Sequence, residues 1–412
     1  MRRRAWDRTQ ALDRLRSDVW RYLSPAASSH GELEVEAAAL LQMSPIELRR
    51  LGLAYFVLSD EVRALLDAMP RLVRQLANTT ERIEEWSADR VRGPVQWSAT
   101  FAARAATGIP TVHVTSPARR AFETPENDLL VEALRSIAGA GRRSGWHRSD
   151  AADAGRTVRD RVADAERWLM TRMLAELRVR PVTASVVRRV RTGRRRRRYA
   201  PAVEVVLLYR ALVRRVDPTL LRTVVESHGL ASRKPDVLLE LETAFAMERQ
   251  LRADGWHLSH PGLVAGGQFV VGTRGSDKVT LFYQHAPPEL AKGSRYRQVQ
   301  EMHAFASVGA LRPDFVVRFD GAERARWLLV EVKGVERPVE YSARAAALDL
   351  LAYRRAFGTV LDHQSGPYGL GVAWGSDLRP DLRSEIVLAT PDTAGRALST
   401  LLDSFASDVA GS

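Results

Sequence analysis

The chain of 412 residues, 45% of them apolar, exceeds one ordinary core and predicts two or three domains. It contains no cysteine, and its nine histidines show no pair at zinc-helix spacing, which excludes disulfides and thiolate centres; any catalytic metal falls to carboxylates, favouring Mg²⁺ or Mn²⁺. The net charge of +13 points to a polyanion, while the absence of a long apolar run and of an apolar leader after Met1 excludes a membrane partner and predicts a cytoplasmic protein.

Residues 1–90 read as a helical N-terminal region. Asp7 to Leu23 and Pro45 to Arg90 carry apolar residues three and four apart, as in Leu65, Leu66, Met69, Leu72, Val73 and Leu76. Residues 91–230 read as a basic, mainly helical domain. After Gly93-Pro94 come Trp97 and an alanine-rich helix, a short β-like run Thr111-Val112-His113-Val114, and a helix starting at Thr124-Pro125-Glu126-Asn127, where threonine caps and proline suits the first turn. Leu129, Leu130, Ala133, Leu134 and Ile137 form its buried face.

Gly139 to Gly155 reads as a mobile connection, and a helix follows through Trp168, Leu169 and Leu174. Arg188 to Arg198, with Arg194 to Arg198 uninterrupted, reads either as a solvated hairpin tip or as a phosphate-contacting loop. A helix from Val203 to Val216 closes the region, and Ser232-Arg233-Lys234-Pro235 marks a boundary. From Ala231 onward 21 basic residues face 22 acidic ones, leaving 41 against 27 before it. Only four of the basic residues in the chain are lysines, so arginine number alone carries little weight. The asymmetry between the halves predicts that DNA, or an acidic partner, meets the N-terminal part.

Residues 231–412 alternate element types. Asp236 to Ala253 reads as a helix and Gln268 to Gly272, Val279 to Gln284, Leu311 to Phe319 and Trp327 to Val332 as strands. A helix at Ala343 to Phe357, strands at Leu370 to Trp374 and Ile386 to Ala389, and a helix at Thr393 to Phe405 follow. This series of elements, which contains an α-β-β-β-α-β order with further strands and a final helix, predicts an α/β domain with a central mixed sheet flanked by helices.

The chemistry concentrates on two of these strands. Along Trp327-Leu328-Leu329-Val330-Glu331-Val332-Lys333 the side chains alternate, so Glu331 and Lys333 share one face. The preceding strand carries Arg312-Pro313-Asp314-Phe315, and a hairpin around Asp320-Gly321 would bring Asp314 to Glu331. Two carboxylates can hold a hard divalent ion and an ammonium can orient water or meet phosphorane charge, which suits phosphodiester hydrolysis. Glu331-Val332-Lys333 is the sole acid-x-lysine triplet of an arginine-rich chain. On the helix before the sheet, Glu240 fits a third ligand position best, Glu242 is the runner-up, and Glu248 reads as solvent-facing. Asp349 and Tyr353, four apart on one helix face, either support the site or bond each other. His285 and His303 lie between strands and could approach DNA.

Pro313-Asp314 with Glu331-Val332-Lys333 resembles the PD-(D/E)xK nuclease superfamily, and Asp349 with Tyr353 resembles the polar helix of McrC-like nucleases. Phe122-Glu123-Thr124-Pro125-Glu126-Asn127 resembles the helix start of an uncharacterised domain often fused ahead of them. The resemblance covers roughly residues 90 to 412 and implies a restriction-endonuclease-like fold in which Asp314, Glu331 and Glu240 bind Mg²⁺ or Mn²⁺ and Lys333 positions the attacking water. It further implies DNA cleavage in restriction or phage defence beside an AAA+ NTPase motor. That motor would be a separate subunit, because this chain has no phosphate-binding Gly-x-x-x-x-Gly-Lys-Ser/Thr loop. The alternatives are a catalytically silent adaptor that binds DNA and stimulates a motor, a repair nuclease, or action on RNA.

Overall fold

A computed structural model describes residues 6–24, 30–88, 90–146, 153–178, 180–264, 266–303, 311–321, 325–334, 339–364, 366–374, 378 and 380–407. The chain divides into two compact units, residues 1–48 with 216–412 and residues 49–215. The boundaries expected at 90 and 230 therefore do not coincide with the folded division. The first 48 residues belong with the C-terminal part, and the second unit is an insertion.

Two helices begin the chain, α1 (Arg8–Leu23) and α2 (His30–Leu40). Asp7 caps α1 by accepting from the amides of Thr9 and Gln10, at 2.8 and 3.2 Å, and Ala11, Leu15 and Val19 form its fully buried stripe.

The inserted unit is mainly helical around one apolar core built by α3 (Asp60–Arg74), α4 (Pro125–Ser144), α5 (Asp153–Leu169) and α6 (Arg196–Tyr209). Residues 75–90 depart from the expected helix. Past α3, β-branched and aromatic residues replace the helical period, and Thr79–Arg82 and Glu85–Ser87 pair antiparallel with Ala118–Ala121 and His113–Thr115. The expected connection from Gly139 is helical as far as Ser144, where Gly145 at φ +77° ends α4; residues 147–152 lie outside the described ones. Arg188 to Arg198 is neither hairpin nor long loop: the helix Ala184–Thr192 breaks at Gly193 and α6 starts at Arg196.

Thr124 caps α4 as expected, and Asn127 just inside it is fully buried. The Asn127 amide donates to the carbonyls of Ala77 (2.8 Å) and Phe122 (2.7 Å), and its oxygen accepts from Tyr199 Oη at 2.7 Å. The Thr-Pro-Glu-Asn start thus bolts α4 to the chain leaving α3 and to α6.

The other unit resumes with α7 (Pro235–Ala253) and a seven-stranded mixed sheet. Its strands are β1 (His257–Ser259), β2 (Gln268–Arg274), β3 (Asp277–Tyr283), β4 (Phe315–Asp320), β5 (Ala325–Lys333), β6 (Gly369–Ala373) and β7 (Ile386–Ala389). They lie in sequence order; β1 to β5 are antiparallel, and β5, β6 and β7 run parallel. A parallel pair needs a crossover, supplied by α8 (Val339–Ala356) between β5 and β6. The helix α9 (Pro391–Ser407) ends the fold. The sequence reading lacked β1 and the short helices Pro288–Ala291 and Arg295–Met302.

The strand β5 is apolar on both faces because both are covered. Trp327 and Leu329 pack with Leu350, Tyr353 and Phe357, while Arg326 on the other face lies over the Phe405 ring of α9. On α7, Arg249 pairs with Asp18 at 2.6 Å and Glu242 with Arg14 at 2.5 Å, tying α1 to this unit. No helix among the described residues is long and apolar enough to cross a membrane.

Candidate active site

Register brings the two strands of the motif together. Phe315 of β4 pairs with Val330 of β5, so one step further places Asp314 opposite Glu331. Asp314 lies just ahead of the ladder, tethered at three points. Its carbonyl accepts from the Gln284 amide at 2.9 Å, its Oδ2 accepts from the Val332 amide at 2.8 Å, and its own amide faces Glu331 Oε2 at 3.5 Å. Pro313 cannot donate to a ladder, which suits the turn before the strand.

Lys333 Nζ reaches back along β5 to Glu331 Oε1 at 2.5 Å, as two-residue alternation requires, and across to Asp349 Oδ2 of α8 at 3.1 Å. Tyr353, one turn on from Asp349, donates to the Arg312 carbonyl at 3.2 Å, fixing the backbone before Asp314. Asp349 and Tyr353 thus both reach the motif rather than each other. Gly334 follows Lys333 at φ +129°, a conformation only glycine adopts freely, and a Cβ there would stand 2.9 Å from Ser342 Oγ.

Of the three glutamates on α7, the structure brings only Glu240 to this group. Glu242 faces α1, taking Arg14 and the indole of Trp6 at 3.0 Å, and Glu248 is buried, not solvent-facing, against Arg252 and His260. Glu240 is linked to Asp314 by one side chain: Gln284 Nε2 donates to Glu240 Oε2 at 3.0 Å and to Asp314 Oδ1 at 2.9 Å. Gln42, from the loop after α2, donates to the same Glu240 oxygen at 2.5 Å and lies 2.6 Å from Tyr283 Oη.

Sequence reasoning missed both glutamines, since a neutral amide carries no charge or spacing signal. A structural signal marks them. Among the described residues, three non-glycine positions have a left-handed backbone, and two are Gln42 (φ 50°) and Gln284 (φ 48°). Such conformations cost on the order of 1–3 kcal/mol and gather at functional sites. His285 lies against Phe282, with ring centroids 6.2 Å apart, and His303 ends the helix Arg295–Met302; neither is among the groups around the carboxylates.

The three carboxyls are nearly sealed from solvent, Glu240 and Asp314 at 8% exposure and Glu331 at 2%. Burial pushes Glu240 up to about 7, reinforced by the charge of Glu331 and eased by the glutamine donors. Burial and the Glu240 charge raise Asp314 to about 7, and burial with Asp314 does the same to Glu331. For Lys333, burial alone would lower the ammonium, but Glu331, Asp314 and Asp349 overcome it and hold it protonated. Three acids and one fixed cation leave a deficit of positive charge. A hard divalent ion matches this all-oxygen donor set. Among the described residues no three side chains converge as a ready-made metal cage, and the Gln284 amide occupies the space between Glu240 and Asp314. The donors fit such an ion in kind, with Gln284 as the neutral donor it would displace.

No family model and no curated protein matches the chain. A solved half-complex of Thermococcus gammatolerans McrB AAA+ hexamers with bound McrC aligns over 88% of this chain and 76% of that chain, at 12% identity and a TM-score of 0.24. A superposition that loose carries no argument about fold or function.

Proposed function

We propose that the sheet-bearing unit is a PD-(D/E)xK, restriction-endonuclease-like domain and that the chain is a metal-dependent endonuclease acting on DNA. The observation that carries the reading is the meeting of Asp314, Glu331 and Lys333 on two paired strands, with Glu240 joined to Asp314 through Gln284. Glu240, Asp314 and Glu331 would hold Mg²⁺ or Mn²⁺. Bound there, such an ion would polarise a phosphate oxygen and acidify a water. Lys333, pinned between Glu331 and Asp349, keeps its ammonium where it can orient that water and meet the charge that builds on phosphorus. Tyr353 and the Val332 amide keep Asp314 in register with Glu331, so the carboxylates do not have to be gathered at the moment of reaction. The motif resemblance supports a role for this activity in restriction or phage defence, with a separate AAA+ motor as partner.

A plasmid-nicking assay with Mg²⁺ tests the reading. Lys333→Ala and Asp314→Asn should each lower the cleavage rate by about 10²-fold or more, as loss of an electrostatic or metal-holding group does. Metal-dependent cleavage that survives both substitutions sinks the proposal. Tight DNA binding with no cleavage by the native chain, with or without a motor, instead favours the silent adaptor.

A further inference from the structure

The inserted unit contains a cavity of about 1040 Å³ lined by Ala68, Arg71, Leu72, Thr192, Gly193, Pro201 and all five arginines from Arg194 to Arg198. Two of these arginines serve the fold: Arg195 donates to the Asn78 carbonyl at 2.9 Å and lies 3.5 Å from Glu126, and Arg198 donates to the Gln75 carbonyl at 3.0 Å. The side chains of Arg71, Arg194, Arg196 and Arg197 are exposed and have no hydrogen-bond or ion-pair partner among the described residues.

We propose that this cavity is a binding site for the phosphodiester backbone of nucleic acid, distinct from the carboxylate site. Three features combine. Arg196, Arg197 and Arg198 form the first turn of α6, and that turn holds no acidic residue, so the positive end of the helix dipole adds to the guanidiniums and raises the energy of the folded state unless an anion is supplied. Among the described residues no acidic side chain and no aromatic ring lines the cavity, so it offers fixed charge for phosphates and no platform for bases. The inserted unit also holds the whole charge excess, with 33 basic against 18 acidic residues, while the other unit has 29 against 31. A chain rich in arginine everywhere accounts for the number of these residues but not for four unpaired ones around one concave surface.

The inference rests on the reading of the chain as one that acts on nucleic acid, yet its test needs no catalysis. Binding of the full chain to a labelled DNA duplex is followed by fluorescence anisotropy in EDTA at several salt concentrations. The triple variant Arg194→Ala, Arg196→Ala and Arg197→Ala should bind at least about tenfold more weakly and lose about 2 to 3 from the slope of log affinity against log salt, whereas the triple lysine variant keeps most of both. Circular dichroism melting that matches the native chain shows that the fold is intact. Unchanged duplex affinity and slope in the alanine variant overturns the proposal. So does a variant that loses inorganic tripolyphosphate but still binds duplex, because the site would then belong to a free polyphosphate. A native chain that binds through these arginines and never cuts DNA sinks the enzyme reading alone; one that cuts DNA while the alanine variant binds as before sinks this inference alone.

Discussion

Glu240 is held by donors that carry no charge, which makes the site sensitive to pH. Burial pushes its carboxyl and those of Asp314 and Glu331 up to about 7, from ordinary values of 4.5 for glutamate and 3.8 for aspartate. The folded, metal-free chain thus binds more protons than the unfolded one between those values. The stability contributed by the protonated acids is complete below the ordinary carboxylate range and is lost as pH rises through about 7. Melting in EDTA should fall across this window, and Mn²⁺ affinity, which requires deprotonated carboxylates, should rise. Because the Gln284 amide lowers both Glu240 and Asp314, Gln284→Leu should move the midpoint of Mn²⁺ binding to higher pH, as read by calorimetry at stepped pH. An unmoved midpoint would mean that the amide does not govern the pair.

At the scale of the element, α4 shows how a motif can be structural. Asn127 satisfies the carbonyls of Ala77 and Phe122 and the hydroxyl of Tyr199 in a fully buried setting, so Asn127→Leu leaves those groups unpaired and should destabilise the inserted unit by about 2–4 kcal/mol in denaturant melts. A loss below about 0.5 kcal/mol, the level of an ordinary surface change, would show that the bolt is dispensable. The sheet and its motif were largely legible in the sequence: β4 and β5 are apolar runs, and alternation dictates that Glu331 and Lys333 share a face. Glu240, expected on α7 because its leucine neighbours mark a buried face, is joined to Asp314 through Gln284. What was not legible depended on distant packing. Gln42 and Gln284 acquire their role from left-handed backbone positions, and the strands within residues 75–90 find their partners in the distant segment 113–121.

At the scale of the whole molecule, composition drew boundaries that folding ignores. Residues 1–48 are far in sequence from the C-terminal part, yet Leu15 and Val19 are buried, and Glu36 accepts from the amides of Leu263 and Val264 at 2.8 and 2.9 Å. Sequence proximity is no guide to such a segment. Expressed alone, residues 216–412 should fail to melt cooperatively, and adding residues 1–48 as a separate peptide should restore the transition. A fragment 216–412 that melts like the full chain and binds Mn²⁺ equally well would show the N-terminal helices to be ornamental.

This discontinuity also sets an order of events during synthesis. The segment bearing Gln42 leaves the ribosome first, but Glu240, Gln284, Asp314 and Glu331 emerge only after the entire insertion has been translated. A nascent or prematurely terminated chain can therefore display the arginine cavity while still unable to assemble its carboxylate cluster.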